Sequence, residues 1–303
     1  MIDLLPYGPP AREALARIIA GEKAADPLAA VTVIVPSNYA GLSVRRALAA
    51  HGPVVNVRFM VAARLAELLG GPSLAAQGKR PLTPWIRLQA ARAALRERPG
   101  VFADVLGHPS TGRELQRVFA ELRETSPEGL SRLSRTSRRA SDVVRLYARF
   151  RELTAGFFDE VDLMDAAEKN LASGSDAATE SGAIVLYLPR KLAPALERLL
   201  AFAGTGKVHA ILGLTGDTAV DTVTEALAER LGTAGDRVRT AATLPAVTRI
   251  VSATDPEEEV REAIRQAMAL VAGGVPLHRI AVTYESRENY AGLLDDALTS
   301  AGI

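Results

Sequence analysis

The first seventy residues alternate between short apolar runs and helical patterns, and this alternation constrains the fold more than any other feature of the chain. Runs with the length and apolar character of buried strands occupy residues 2–5, 31–35 and 54–59. Each is followed by apolar residues at helical spacing, over residues 11–20, 39–50 and 62–69. Repeated strand–helix units favour parallel strands, because each helix returns the chain to the same end of the sheet. The sequence therefore predicts a doubly wound α/β sheet.

Between residues 72 and 181 the pattern changes to helices alone. Helical spacing recurs over residues 85–98, 112–124, 139–155 and 162–172, with no convincing strand among them. Strand–helix alternation then resumes, with strands at 183–188 and 207–214 and helices at 192–203 and 218–231. We therefore expect residues 1–240 to form one α/β domain that carries a helical insertion at 72–181.

The remaining residues, 241–303, predict the start of a second α/β domain. A β-branched run at 248–251 precedes Asp255-Pro256 and three glutamates, and such acidic first turns are typical of helix starts. A second apolar run at 279–283 leads to an apolar helical stripe that includes Tyr290 and Leu294. Two strand–helix units in tandem imply a second parallel sheet.

This C-terminal segment resembles the opening of the second RecA-like domain of superfamily I DNA helicases. Its matching patterns are E-x-E-V at 257–260, G-x-x-x-x-x-I-A-V at 274–282, and a tyrosine-bearing helix that ends in Gly302-Ile303. The resemblance implies a RecA-like (P-loop NTPase-type) parallel sheet with a helical insertion, followed by the start of a second RecA-like domain. In that family a proline and another strand follow the G-I pair, so we expect the protein to continue beyond residue 303.

The residues with which such motors hydrolyse ATP are missing. A phosphate-binding loop needs glycines, a lysine and a hydroxyl residue after the first strand, but residues 6–10 read PYGPP, and proline lacks an N–H donor. The sequence GTGK at 204–207 precedes a strand and lacks the other loop residues, so we interpret it as a turn. The strand at 184–188 runs into PRK instead of the carboxylates that hold Mg²⁺. We therefore expect no ATP hydrolysis, no cofactor and no metal in this segment.

A helicase-like skeleton without ATPase residues resembles the B subunit of AddAB-type helicase–nucleases and related PD-(D/E)XK nuclease proteins. The shared patterns are V-P-S at 35–37, V-x-V-x-F at 55–59, L-A-x-L-L at 65–69, and tyrosine, phenylalanine and aspartate positions between 147 and 163. The resemblance implies a non-catalytic scaffold in DNA double-strand-break repair, located in the cytoplasm. It also implies two kinds of partner, DNA and a helicase/nuclease subunit that carries the motor, and an exonuclease site elsewhere in the full-length protein.

The candidate DNA contacts are arginines and small polar residues in two places, Arg132, Arg135, Arg138, Arg139, Ser37 and Asn38. The arginines belong to the run SRLSRTSRR at 131–139, flanked by Arg123, Arg145 and Arg149. Arginine and hydroxyl groups on one face can hold DNA phosphates without reading sequence. The alternative interpretation of this run is a solvated loop in an arginine-rich protein. Ser37 or Asn38 can also cap a helix, and we expect Asp159 and Asp162 to cap one rather than catalyse.

Composition excludes several other classes. The chain has no cysteine, so it has no disulfide, thiolate metal site or cysteine nucleophile. Its net charge of +1 gives no global attraction to nucleic acid, and its four histidines lack metal-ligand spacing. No apolar run reaches the ~18 residues of a membrane span, so we expect no membrane association. Two alternatives stay open: a doubly wound small-molecule enzyme with its ligand near residues 6–10 and 36–38, or a pure protein-interaction module.

Overall fold

The computed structural model describes residues 1–50, 52, 54–173, 180–189, 192, 196–198, 208–231, 237–241 and 249–302. The chain divides into two compact units, Met1–Leu244 and Pro245–Ile303. No described helix is long and apolar enough to cross a bilayer. The predicted turn at 204–207 and the strand residue Thr248 lie outside the described residues.

A parallel sheet forms the centre of the first unit. The described strands are β1 (Ile2–Pro6), β2 (Val31–Ile34), β3 (Val57–Met60), β4 (Arg80–Pro81), β5 (Phe157–Phe158), β6 (Ala183–Tyr187), β7 (Val208–Leu214) and β8 (Arg237–Arg239). Six of them form one sheet in the order β3-β2-β6-β7-β1-β8, with every pair parallel. Most residues of β1, β2, β6 and β7 are buried, as expected for strands covered on both faces. The predicted parallel α/β sheet is confirmed.

Helices cover both faces of this sheet. The described helices are α1 (Pro9–Glu22), α2 (Asn38–Ala49), α3 (Ala62–Ala76), α4 (Pro84–Glu97), α5 (Pro109–Leu122), α6 (Pro127–Ser134), α7 (Arg138–Leu153), α8 (Glu160–Ala172), α9 (Thr218–Arg230), α10 (Pro256–Ala272) and α11 (Arg287–Ala301). Helices α1 and α2 share one core with the strand residues Leu5, Val33 and Ile211. Helices α3, α8 and α9 share the other core, which contains Leu4 and Leu212. Alternate strand residues therefore supply two separate apolar cores.

Helix α3 extends beyond the predicted range 62–69, because it continues through Gly70-Gly71 and Pro72 to Ala76. A Cβ atom at Gly70 would lie 2.4 Å from the carbonyl oxygen of Leu163 in α8. Glycine is required there because α3 and α8 pack closely, so it does not act as a helix stop.

Helices α4 to α7 form a helical subdomain with a core of its own. The rings of Phe119, Tyr147 and Phe150 lie at its centre, with centroids 5.0 to 6.5 Å apart. The residues of this core lie between Leu82 and Phe157, so the helical subdomain is shorter than the expected insertion at 72–181. Helix α8, which was expected to belong to the insertion, packs in the core of the sheet. The short strands β4 and β5 pair in parallel at its base. The sequence did not reveal them, because two residues are too few to show a period.

The second unit contains a pair of helices. Helices α10 and α11 pack through Val260, Ile264 and Leu294. The expected strands at 248–251 and 279–283 are wrong for the residues described, because none of 249–251 or 279–283 belongs to a strand. Ile280 has extended dihedral angles, φ −108° and ψ 133°. An extended segment becomes a strand only when a neighbour pairs with its backbone, and the described residues of this unit provide none.

Candidate functional site: the α6–α7 corner and the carboxyl edge of the sheet

The four candidate arginines lie where α6 turns into α7, a region that we name the α6–α7 corner (residues 131–139). Arg132 is in the last turn of α6, Arg135 is its C-cap, and Arg138 and Arg139 begin α7. The Ser137 hydroxyl caps α7 by accepting the backbone N–H of Ala140 at 3.1 Å. Two helices and their caps fix the backbone of this run, so it is not a loop. Its arginines are exposed to solvent, and DNA binding by them stays a prediction.

All four arginines are exposed, and most of them lack an acidic partner. Arg132, Arg135 and Arg139 form no ion pair within the described chain, although the Arg135 guanidinium donates to Ser131 Oγ at 3.5 Å. Arg138 helps to keep the pKa of Asp142 below its ordinary value, an effect due mainly to hydrogen bonds from Arg145 and from the backbone of Val101. The corner therefore presents positive charge that the protein leaves largely uncompensated.

The three flanking arginines have a different role. Arg123 Nε lies 2.9 Å from Asp159 Oδ2, and its Nη2 lies 2.7 Å from Asp162 Oδ1. Arg145 pairs with Asp142 at 2.7 Å. Arg149 pairs with two carboxylates, those of Glu97 at 2.7 Å and Glu152 at 2.8 Å. These arginines bind carboxylates of the protein, so they do not extend the charged surface of the corner.

Asp159 and Asp162 form a capping box at the start of α8. Asp159 Oδ1 accepts the backbone N–H of Asp162, and Asp162 Oδ2 accepts that of Asp159, both at 3.0 Å. Burial by itself raises the pKa of Asp159, but the Asp162 N–H and the Arg123 guanidinium outweigh burial and leave the pKa below its ordinary value. The prediction that these residues cap a helix is confirmed.

The turn after β1 is a poor site for a phosphate group. Pro9 and Pro10 occupy the first two positions of α1, so two of the N–H donors that a helix start usually offers are absent. Gly8, the N-cap of α1, has a φ of 93°, a conformation that favours glycine, so its role in the turn is conformational. The ring of Tyr7 lies so close to the adjacent strand β7 that a Cβ at Gly213 would be 2.2 Å from its Cζ. The turn thus has few donors, and an aromatic ring fills the space beside it.

The other two candidate contacts lie at the carboxyl end of β2. Ser37 is the N-cap of α2, and its Oγ accepts the Ala40 N–H at 3.2 Å. Asn38 is the first residue of α2 and is exposed, next to Tyr39 with 86% of its surface accessible. Ser37 and Asn38 belong to the sheet layer, whereas the four arginines belong to the helical subdomain, which has a different core.

A cavity of about 390 Å³ opens at the carboxyl ends of β2 and β6. These strands are neighbours, but the chain continues from β2 to the edge strand β3 and from β6 to β7 on the other side. Crevices at such reversals of strand order are common ligand sites in doubly wound sheets. The lining is mostly apolar, with Ile34, Leu186 and Leu192, and Glu160 is its one charged residue among those described.

The sequence did not single out one further group, Arg92, Arg96 and His108. They line a groove of about 440 Å³ between α4 and α5. The four-residue spacing of the two arginines on a helix was the signal that could have revealed it. Among the residues described, no group of three or more histidines or carboxylates is placed to hold a metal ion.

No protein-family model matches the chain. The chain is similar to gamma-glutamyl phosphate reductase from Sorangium cellulosum, with 40% identity over 106 residues. That match covers 33% of this chain and 24% of the reductase. The chain thus spans about a quarter of the length of the curated relative that it matches.

Proposed function

We propose that this chain is the N-terminal, non-hydrolysing helicase-like scaffold of a DNA double-strand-break repair helicase/exonuclease subunit. In this role it binds DNA and docks to a partner subunit that carries the motor. The observation that carries the proposal is the α6–α7 corner, where exposed arginines lack acidic partners while the arginines around them are paired. Clustered arginines of this kind bind phosphates without reading sequence, as a processing nuclease requires.

The electrostatics of α7 also favour a bound anion. Its first turn contains Arg138 and Arg139 and no acidic residue. Cations next to a helix N-terminus interact unfavourably with the helix dipole, and a phosphate placed between them relieves that repulsion. The Ser134 and Thr136 hydroxyls donate to backbone carbonyls within the corner. The arginines, more than the hydroxyls, therefore supply the phosphate contacts.

The turn after β1 supports the non-hydrolysing part of the proposal. With Pro9 and Pro10 at the helix start and the Tyr7 ring over Gly213, few donors remain to surround a triphosphate. A parallel sheet that carries a helical subdomain is the arrangement expected for a RecA-like domain, and it supports that finer assignment. A purified protein that bound ATP with micromolar affinity and hydrolysed it on addition of DNA would overturn this part.

The DNA contacts are tested with a variant in which Arg132, Arg135, Arg138 and Arg139 are all replaced by glutamine. Fluorescence anisotropy of a labelled single strand and a labelled duplex gives the affinity at several salt concentrations. Each lost phosphate contact flattens the slope of log K against log salt by about 0.7 for a single strand and about 0.9 for a duplex. We expect the slope of the variant to be flatter than that of the native chain by several times these values, because several phosphate contacts are lost together.

The control for this experiment is the pair Arg279→Gln and Arg287→Gln in the second unit. Both arginines are exposed and form no ion pair with a described residue. Their replacement is expected to leave the slope nearly unchanged. If the control flattens the slope as much per charge as the corner variant does, or if the native chain does not bind DNA, the proposal is wrong.

A second candidate function is a doubly wound small-molecule enzyme, and the cavity between β2 and β6 favours it. The partial similarity to a reductase points in the same direction. Because the lining is mostly apolar, the ligand would place an apolar group there. Crystals soaked with candidate metabolites test this function. A ligand ordered against Leu186 and Glu160 would support it, and an empty cavity together with corner-dependent DNA binding would reject it.

A further inference from the structure

The groove between α4 and α5 combines cationic side chains with a shape that can hold a small anion. We name it the arginine groove; it is lined by Arg92, Leu95, Arg96, Leu106, Gly107, His108, Pro109 and Gly112. Arg92 and Arg96 are four residues apart in α4, so they lie on the same face of the helix. No carboxylate is among these lining residues. The groove therefore has a positive potential with nothing in its wall to neutralise it.

Two acidic residues of the helical subdomain, Glu97 and Asp142, are already paired with other arginines. Glu97, which follows Arg96 in α4, accepts two hydrogen bonds from Arg149, at 2.7 and 3.0 Å. Asp142 is held by Arg145 at 2.7 Å. Neither Arg92 nor Arg96 forms an ion pair within the described chain. These two guanidinium groups thus lack the counter-charge that their neighbours have.

Gly112 of α5 makes room for the side chain of Arg92. A Cβ at this position would lie 3.1 Å from Arg92 Cγ and 3.3 Å from its Nε. Arg92 is half-buried as a result. A guanidinium without a carboxylate partner keeps its N–H groups for a ligand, and an oxyanion can accept two of them at once.

We propose that the arginine groove binds a phosphate group, with Arg92 and Arg96 as its two cationic ligands. His108 is the third donor. Its Nδ1 already contacts Ser110 Oγ at 2.6 Å, so Nε2 remains for the ligand. The phosphate comes either from a nucleic-acid backbone or from a free phosphate compound. The first source rests on the proposed DNA function, whereas the second does not.

The test compares Arg92→Gln and Arg96→Gln with Arg113→Gln in the full chain. Arg113 is a suitable control because it lies on α5, is exposed, forms no ion pair with a described residue and does not line the groove. Calorimetric titration with inorganic phosphate and anisotropy of a labelled oligonucleotide provide the two probes. Circular dichroism verifies that each variant is folded.

We expect Arg92→Gln and Arg96→Gln each to weaken phosphate binding about tenfold, because each loses a charge-assisted hydrogen bond. Arg113→Gln should bind as the native chain does. If oligonucleotide binding weakens as well, the source is nucleic acid; if only inorganic phosphate is affected, the source is a free phosphate compound. Groove variants that match Arg113→Gln with both probes overturn the proposal, whatever the corner variant does to DNA binding.

A second variant, Gly112→Ala, changes no charge. Its methyl group must displace the Arg92 side chain, so phosphate affinity should fall. Circular dichroism and a thermal melt verify that the variant is folded at the temperature of the titration. Unchanged phosphate affinity in this variant would show that the position of Arg92 does not matter, contrary to the proposal.

Discussion

Replacing Arg123 with methionine is expected to destabilise the junction between the helical subdomain and α8 by about 3 kcal/mol. Arg123 joins α5 to the capping box through hydrogen bonds of 2.9 Å to Asp159 and 2.7 Å to Asp162. All three side chains are mostly buried, with 18%, 10% and 15% of their surfaces exposed. The substitution keeps most of the apolar volume but leaves two carboxylates without their main partner.

The magnitude follows from the two hydrogen bonds. A hydrogen bond to a charged group contributes about 1.5–3 kcal/mol, so two contribute about 3–6 kcal/mol. The lower end applies, because Arg151 remains near both carboxylates, 3.4 Å from Asp159 and 3.6 Å from Asp162. Its longer contacts recover part of the loss.

The effect should depend on pH. The pKa of Asp159 lies below its ordinary value, because the Asp162 N–H and Arg123 outweigh the upward effect of burial. A carboxyl group with a lowered folded-state pKa stabilises the fold above its unfolded pKa, about 3.9, and loses this contribution as pH falls through the folded value. The difference in stability between the native chain and Arg123→Met should therefore be largest near neutral pH and shrink below about pH 4.

Urea unfolding followed by tryptophan fluorescence measures this effect, since the single tryptophan, Trp85, lies in α4 of the same subdomain. The matched control is Arg117→Met on α5, whose pair with Glu114 at 3.1 Å is largely exposed, and its cost should stay below about 0.5 kcal/mol. If Arg123→Met costs no more than this control, or if its cost does not shrink in acid, the buried network does not hold the subdomain as argued.

Glycine substitutions give the remaining predictions. Gly70→Ala places a Cβ 2.4 Å from the Leu163 carbonyl and should destabilise the fold by about 1–3 kcal/mol through overpacking. The Cβ of Gly71→Ala meets nothing within 4 Å, so this variant should stabilise α3 by up to about 1 kcal/mol. Thermal melts of the two variants compare them directly. Gly213→Ala forces the Tyr7 ring away and should cost about 1–3 kcal/mol. Adding Tyr7→Ala should restore part of that loss in urea unfolding, and no recovery would mean that the ring is not the obstacle.

The elements that the sequence predicts well are those whose signal is local. Buried parallel strands appear as apolar runs, so β1, β2, β6 and β7 were visible, and the start of α10 was marked by Asp255 and its acidic first turn. The strand order could not be predicted, because it depends on pairings between distant segments such as 2–6 and 210–214. The two strands expected in the second unit are wrong for the same reason, because an apolar run forms a strand only if another segment pairs with its backbone.

The candidate site shows the same limit. In the sequence, Arg123 and Arg135 are equivalent members of an arginine-rich region. In the fold, Arg123 meets Asp159 and Asp162 from a later helix, whereas Arg135 meets no carboxylate within the described chain. Composition finds the arginines, but only tertiary contacts separate those that are paired from those that remain available to an anion.

The pairing of β4 with β5 makes the helical subdomain a module with adjacent ends. Arg80 lies opposite Phe157 and Pro81 opposite Phe158, and neighbouring strands are about 4.8 Å apart. A linker of a few glycines could therefore join residues 81 and 157 and leave the doubly wound sheet intact. The excised segment keeps its aromatic core around Phe119. The sheet and the subdomain could therefore be expressed separately, and the phosphate affinity of each could be measured.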